Sequence, residues 1–225
     1  MTIKNIILDL GNVLLDIDYD LTTNAFVHLG YHNFQEMYSQ YKADLLFEKL
    51  EMGLVAEDDF YFVLEDIREG PDSYQDRDQI QKAWNAMLLD FRYDTFEYLK
   101  SVKDKYRLFL LSNTNVIHKR AVDVLFNKGH LDDYFEKAYY SHLVGMRKPN
   151  EDIFEFVLGD AGIKPEETLF IDDLYPNIET AKKMGFQAWL LKEGELVEKV
   201  IPGFTTEGTE GRHTEGTEEN AERFR

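Results

Sequence analysis

An α/β fold, a parallel-sheet core carrying an inserted helical cap, is the class this sequence predicts. Three observations lead to it. Short apolar runs of strand length occur at Ile3 to Leu8, Arg107 to Leu111, Lys137 to Tyr140, Thr168 to Ile171 and Gln187 to Leu191, and near-continuous apolar runs belong to strands covered on both faces. Helix-like segments alternate with the later runs: Val116 to Lys128, Glu151 to Ala161 before Gly162, and Asn177 to Met184 before Gly185. Such alternation predicts parallel strands joined by right-handed crossovers. Finally, residues 9–106 separate the first two runs, far more than a connection within a compact domain requires.

Taken in chain order, the first run supplies the first strand, and the long insertion follows it. Amphipathic spacing predicts helices at Phe34 to Met52, Glu57 to Glu69 and Gln79 to Leu89. Residues 16–91 are therefore expected to form a helical cap above the strand ends, and residues 1–15 and 92–204 the core. From Thr205 the composition shifts to Thr, Glu and Gly, with TEGTE at Thr206 to Glu210 and again at Thr214 to Glu218. Residues 205–225 lack an apolar period, so they read as a disordered acidic tail, with a docking helix at Ala221 to Arg225 as the other reading.

Composition bounds the function. Hydrophobic residues at 44% and aromatics at 14% are those of a globular protein. The absence of Cys excludes a disulfide scaffold, a thiolate nucleophile and a thiolate metal site. No apolar stretch reaches the roughly 18 residues of a membrane span, and Asp9 interrupts the first apolar run where a signal peptide needs continuity. The expectation is a soluble, cytoplasmic protein without a membrane partner. The net charge of −18, from 43 acidic and 25 basic residues, argues against nucleic acid as a partner. It also sets a condition on any phosphate ligand, since local positive charge must overcome the global field once the ligand is within about 8 to 10 Å. Nothing in the pattern specifies an oligomer.

The chemistry-bearing residues stand at the ends of the apolar runs. Asp9 follows the first, Ser112-Asn113 the second and Asp172-Asp173 the fourth, while Lys148-Pro149 follows a Gly-Met-Arg turn. Carboxyl ends of parallel strands converge on one crevice, so these distant groups can meet. Singly, each segment is also what a turn or a helix cap looks like. His28 and His32 have metal-like spacing, but Gly30 interrupts them and no third ligand is evident; they read as surface histidines.

In series, the four segments IILDLGNVLLD, LFLLSNTN, GMRKPNEDIF and LFIDDLYPNIETAKKMG resemble the haloacid dehalogenase superfamily of hydrolases, whose members are mostly magnesium-dependent phosphatases. The resemblance spans residues 3 to about 195. It implies a Rossmann-like core, and the insertion after the first segment resembles the α-helical cap of that superfamily's first subclass.

The chemistry also follows from residue types. An Asp carboxylate that attacks a phosphoryl group splits one difficult displacement into two easier ones. Two anions repel, so a divalent cation is needed, and Mg²⁺ suits carboxylate, carbonyl and phosphate oxygens. Asp9 is the candidate nucleophile and first metal ligand. The resemblance implies the Gly11 carbonyl and Asp173 as further ligands, with Asp172 orienting the metal's waters or exchanging roles with Asp173. The Ser112 hydroxyl and the Asn113 N–H are candidate phosphate donors beside a helix terminus. Lys148 would add a point charge, Pro149 would occupy the first turn of the next helix, and Asn177 is either a partner supporting the metal site or an N-cap.

One position departs from the superfamily pattern. Its phosphatases usually carry an acid–base Asp two residues after the nucleophile, where this chain has Gly11. Acid–base help is worth about 10² to 10⁴ in rate, so esters with good leaving groups should suffer less from its loss. The expected activity is Mg²⁺-dependent hydrolysis of a small phosphorylated metabolite, such as a sugar phosphate. The alternatives are a metal-independent halide-displacing hydrolase and a non-hydrolytic phosphate- or metal-binding protein. The paired acids weigh against the first. A receiver domain, as a form of the second, would have its acids in the reverse order and no long helical insertion.

Overall fold

The computed structural model describes residues 2–39, 42–67 and 77–205. Nine strands occur among them: β1 Asn5–Leu8, β2 Leu15–Ile17, β3 Tyr38–Ser39, β4 Lys42–Ala43, β5 Leu88–Phe91, β6 Arg107–Ser112, β7 Lys137–Tyr140, β8 Thr168–Asp172 and β9 Gln187–Leu190. Five form a parallel sheet in the order β7-β6-β1-β8-β9. β1 is buried throughout and lies between β6 and β8, with Leu8 level with Leu110 on one side and Ile171 on the other. The chain leaves β1 toward β6 and β7 and then crosses to β8 and β9, so the connections diverge around β1 and open a crevice at its carboxyl end.

Both faces of the sheet are covered, as its apolar runs predict. Ile6, Leu8, Leu108, Leu110, Leu169 and Ile171 pack on one side with Phe96, Leu99 and Phe126. Ile7, Phe109, Leu111 and Phe170 pack on the other with Ile153, Phe154, Val157 and Ile178. Helices Val116–Leu125, Glu151–Ala161 and Tyr175–Lys183 are among the crossover elements. Three further helices, Tyr19–His28, Tyr93–Val102 and Val197–Thr205, fall outside the helical segments expected from sequence.

A separate aromatic cluster belongs to the insertion. Phe26, Phe34, Phe47, Phe60 and Trp84 are fully buried there, with Phe26 stacked on Phe34 at 3.9 Å between centroids. Antiparallel pairing of β2 with β5 closes the base of the insertion, Leu15 opposite Phe91, and Arg92 bonds Asp16 at 2.8 Å across it.

Several expected boundaries move. The segment Phe34 to Met52 is not one helix: Phe34–Met37 and Leu45–Glu51 are helical, and β3 pairs with β4 between them. Tyr38 there turns its ring onto Trp84, Phe47 and Phe34, and aromatic packing overrides local helical preference. The Gln79 to Leu89 segment is helical only within Arg77–Asn85, because Leu88–Phe91 is taken by β5. The helix from Val116 stops at Leu125 rather than Lys128, since Phe126 leaves helical geometry and buries its ring against Phe91 and Phe96. Tyr175–Lys183 starts before Asn177, with Pro176 in its first turn. Pro149 is not in a first helical turn: Asn150 caps the helix that begins at Glu151, and the Lys148–Pro149 bond is cis. The end of the Glu57 to Glu69 segment, the repeat-bearing tail beyond Thr205 and the Ala221 to Arg225 helix lie outside the described residues. No described helix is long and apolar enough to cross a membrane.

Candidate active site

The strand ends bring the candidate residues together. Asp9 leaves β1 with its N–H bonded to the Ile171 carbonyl at 2.9 Å, which sets it beside the end of β8. Asp9, Asp172 and Asp173 each offer a carboxylate oxygen within 4.8 Å of the others. Lys148 lies among them, its Nζ 2.7 Å from Asp9 Oδ1 and 2.6 Å from Asp172 Oδ2. The lysine is 1% exposed and Asp172 is fully buried, so one buried ammonium faces a crowd of carboxylates.

That imbalance is visible in the protonation energetics. Burial pushes the Asp9 carboxyl up to about 7; the Lys148 ammonium opposes this shift, and the Asp172 and Asp173 charges add to it. Asp173 is pushed up to about 6, by burial first and then by Asp172. Carboxylates raised by burial and by one another are relieved by a cation between them.

The two neighbouring acids have different surroundings. Both Asp172 oxygens accept from Asn177 Nδ2, at 2.9 and 3.0 Å; Oδ1 also accepts the Leu174 N–H at 2.8 Å, and Oδ2 the Lys148 ammonium. Asn177 is therefore a side-chain partner of Asp172 inside the helix and not its cap, which is Leu174. Asp173 lines the cavity and accepts from Asn12 Nδ2 at 3.0 Å. Asn12 has φ 53° and also takes the Ile17 N–H on its Oδ1 at 3.0 Å. An Asn accepts this left-handed conformation better than most residues, and its role at the site carried no sequence signal beyond its place in the turn after Asp9.

Ser112 closes β6 and is buried. The Asn113 side chain bonds the backbone of Lys148 twice, donating to its carbonyl at 2.8 Å and accepting its N–H at 2.9 Å. The helix after β6 is capped by Asn115, whose Oδ1 accepts from the N–H groups of Ile117 and His118. His118 stacks on the insertion's Trp84 at 4.5 Å and bonds its carbonyl at 2.9 Å. Burial lowers its pKa to about 4, so the ring is a neutral joint between the insertion and the core.

A cavity of about 610 Å³ opens over the cluster, within the range of small-molecule sites. Asp9, Gly11, Asn12, Ser112, Lys148 and Asp173 line one part of it, and Tyr19, Tyr38, Glu48, Glu51 and Arg147 another. Phe47, Tyr61 and Trp84 are buried in the insertion's own core. Sequence reasoning missed Tyr19, Glu51 and Arg147. Arg147 adjoins Lys148, which is the only local hint. His28 is exposed and bonds the Asn24 carbonyl at 2.6 Å, and His32 is exposed; neither is part of the site.

A parallel sheet with a carboxylate cluster at its divergence point defines an α/β hydrolase. The chain belongs to the haloacid dehalogenase-like hydrolases, whose family model matches residues 3–185. D-ribitol-5-phosphate phosphatase of Bacteroides thetaiotaomicron is 32% identical over 197 residues, 85% of this chain and 93% of that protein. A haloacid dehalogenase family enzyme of Bacteroides thetaiotaomicron, crystallised with magnesium and inorganic phosphate, matches with a TM-score of 0.79 at 33% identity, over 88% of this chain and 99% of its own. A hydrolase of the same type from Porphyromonas gingivalis matches with a TM-score of 0.81 at 34% identity, over 92% of this chain and all of its own.

Proposed function

We propose that the protein is a magnesium-dependent phosphatase of small phosphorylated metabolites, polyol and sugar phosphates foremost, acting through an aspartyl-phosphate on Asp9. The observation that carries this reading is the Asp9, Asp172, Asp173 and Lys148 cluster opening on a ligand-sized cavity. The similarity to a ribitol-phosphate phosphatase over most of both chains supports the substrate class.

The donor set fits the ion. Crowded carboxylates with no sulfur or imidazole among them suit a hard divalent cation. Asp9, the Gly11 carbonyl and Asp173 would hold Mg²⁺, which when bound neutralises charge between nucleophile and phosphate. Asp173 is assigned as the direct ligand because the Asp172 oxygens are taken by Lys148, Asn177 and the Leu174 N–H. Asp172 then holds the Lys148 ammonium in place.

In the first step an Asp9 oxygen bonds to phosphorus as the bond to the leaving oxygen breaks, and the leaving alkoxide takes its proton from solvent water, position 11 carrying a glycine that supplies none. Water then attacks the phosphorus of the aspartyl-phosphate, releasing phosphate and regenerating Asp9. Lys148 stabilises the charge on the transferring group, and the Ser112 hydroxyl and Asn113 N–H bind its oxygens. Residues 16–91 act as the cap that selects the alcohol, a role supported by Tyr19, Tyr38, Glu48 and Glu51 in the cavity wall. The halide-displacing alternative has no use for three crowded carboxylates. The test is phosphate release from a panel of polyol and sugar phosphates with Mg²⁺ and with a chelator. Release that survives chelation, or no release from any ester, would overturn the reading.

A further inference from the structure

We infer that Glu51 is a specificity-determining residue: it directs the site to phosphate monoesters whose alcohol part carries hydroxyls and no second anionic group. This deepens the phosphatase reading and rests on it. Glu51 closes the helix Leu45–Glu51 of the insertion, lines the cavity and is 7% exposed. A carboxylate so buried must have its oxygens satisfied, and here only one of them is well satisfied. Oε2 is gripped by Arg147, whose Nε and Nη2 each lie 2.9 Å away. Oε1 faces the Tyr38 hydroxyl at 3.5 Å, the outer limit of a hydrogen bond. That oxygen keeps accepting capacity for a ligand hydroxyl in the cavity it lines.

Charge sharpens the choice. Arg147 also bonds Glu48 Oε1 at 3.2 Å, so one guanidinium serves two carboxylates and this part of the wall carries one negative charge in excess. The Tyr19 phenol also lines the cavity, its ring 5.9 Å from that of Tyr38, and it can donate to a substrate oxygen. A neutral polyol chain meets acceptors and donors along this wall. A substrate carboxylate or second phosphate meets uncompensated negative charge, the repulsive element from which discrimination is built.

The test compares kcat/KM of the full chain with Mg²⁺ on glycerol 3-phosphate and 3-phosphoglycerate. These share a three-carbon frame and differ in a hydroxymethyl against a carboxylate. Wild type should prefer glycerol 3-phosphate at least tenfold, and Glu51→Gln, which keeps the shape and removes the charge, should narrow that ratio at least fivefold. Reading the ratio cancels any change in overall turnover. Should Glu51→Gln fail to fold, Glu48→Gln removes the same excess charge from a position that is 39% exposed, and it too should narrow the ratio. p-Nitrophenyl phosphate is the third substrate. Its turnover with no preference between the other two, with neither of them accepted, or with a ratio unmoved by the soluble variant, overturns this inference alone. Failure of all three substrates overturns the phosphatase reading and the inference together.

Discussion

The Asn113 side chain and the Lys148 backbone exchange two hydrogen bonds, at 2.8 and 2.9 Å. They tie the loop after β6 to the turn that delivers the ammonium to Asp9 and Asp172. With Lys148 1% exposed, the path of its side chain is set by where its backbone is held. Asn113→Ala should therefore lower kcat about 10- to 100-fold through misplacement of the ammonium, and cost about 1–3 kcal/mol from the unpaired groups left behind. Steady-state kinetics and denaturant unfolding read the two effects. A fully active variant would remove the positioning role.

Asp9→Asn should abolish turnover, by 10³-fold or more on the order of covalent-nucleophile losses, and leave a folded protein. Lys148 keeps Asp172 as its partner in this variant, and the crowded cluster loses one charge. Wild-type-like turnover would refute Asp9 as the nucleophile.

The raised acids predict how pH and metal act on stability. Asp9 rises from 3.8 to about 7 and Asp173 from 3.8 to about 6 on folding. Between about pH 4 and pH 7 the folded metal-free protein thus binds more protons than the unfolded chain, so stability falls as pH rises through that window. The loss is complete above about pH 7. Mg²⁺ binds the ionised acids, so the gain in thermal midpoint from millimolar Mg²⁺ should be large near pH 8 and nearly absent near pH 5. Equal gains at both pH values would contradict the assignment of these carboxylates to the metal.

Gly11 leaves the acid–base position empty, and its backbone φ is outside the left-handed region. A Cβ there would come within 2.8 Å of Ile17 Cδ1, the free end of a side chain that can move aside. Wild-type rates should depend steeply on leaving-group acidity across aryl and alkyl phosphates at saturating Mg²⁺. Gly11→Asp should raise alkyl-phosphate turnover about 10- to 100-fold relative to aryl. A flat wild-type dependence with fast chemistry would show that another group already donates the proton.

The strands of the sheet were legible because parallel strands buried on both faces need uninterrupted apolar runs; Ile6, Leu110 and Ile171 have no exposed side to encode. Between β1 and β6 helices were legible and their bounds were not. Tyr38 is extended and paired because Trp84 and Phe47 receive its ring, a contact no local window contains.

At the site, the sequence by itself determined which carboxylates and hydroxyl stand at strand ends, since strand-end positions follow from the apolar runs; Lys148 follows a Gly-Met-Arg turn, and the fold carries it to them. Tertiary structure alone decided how the neighbouring acids differ. Asp172 turns to Lys148 and Asn177, and Asp173 turns to the cavity and Asn12. It alone also brought Glu51 and Arg147 to the cavity wall, 96 positions apart in the chain. Periodicity reports which residues are buried. The direction of a buried polar group is set by partners arriving from other elements, and those partners leave no mark in its own segment of sequence.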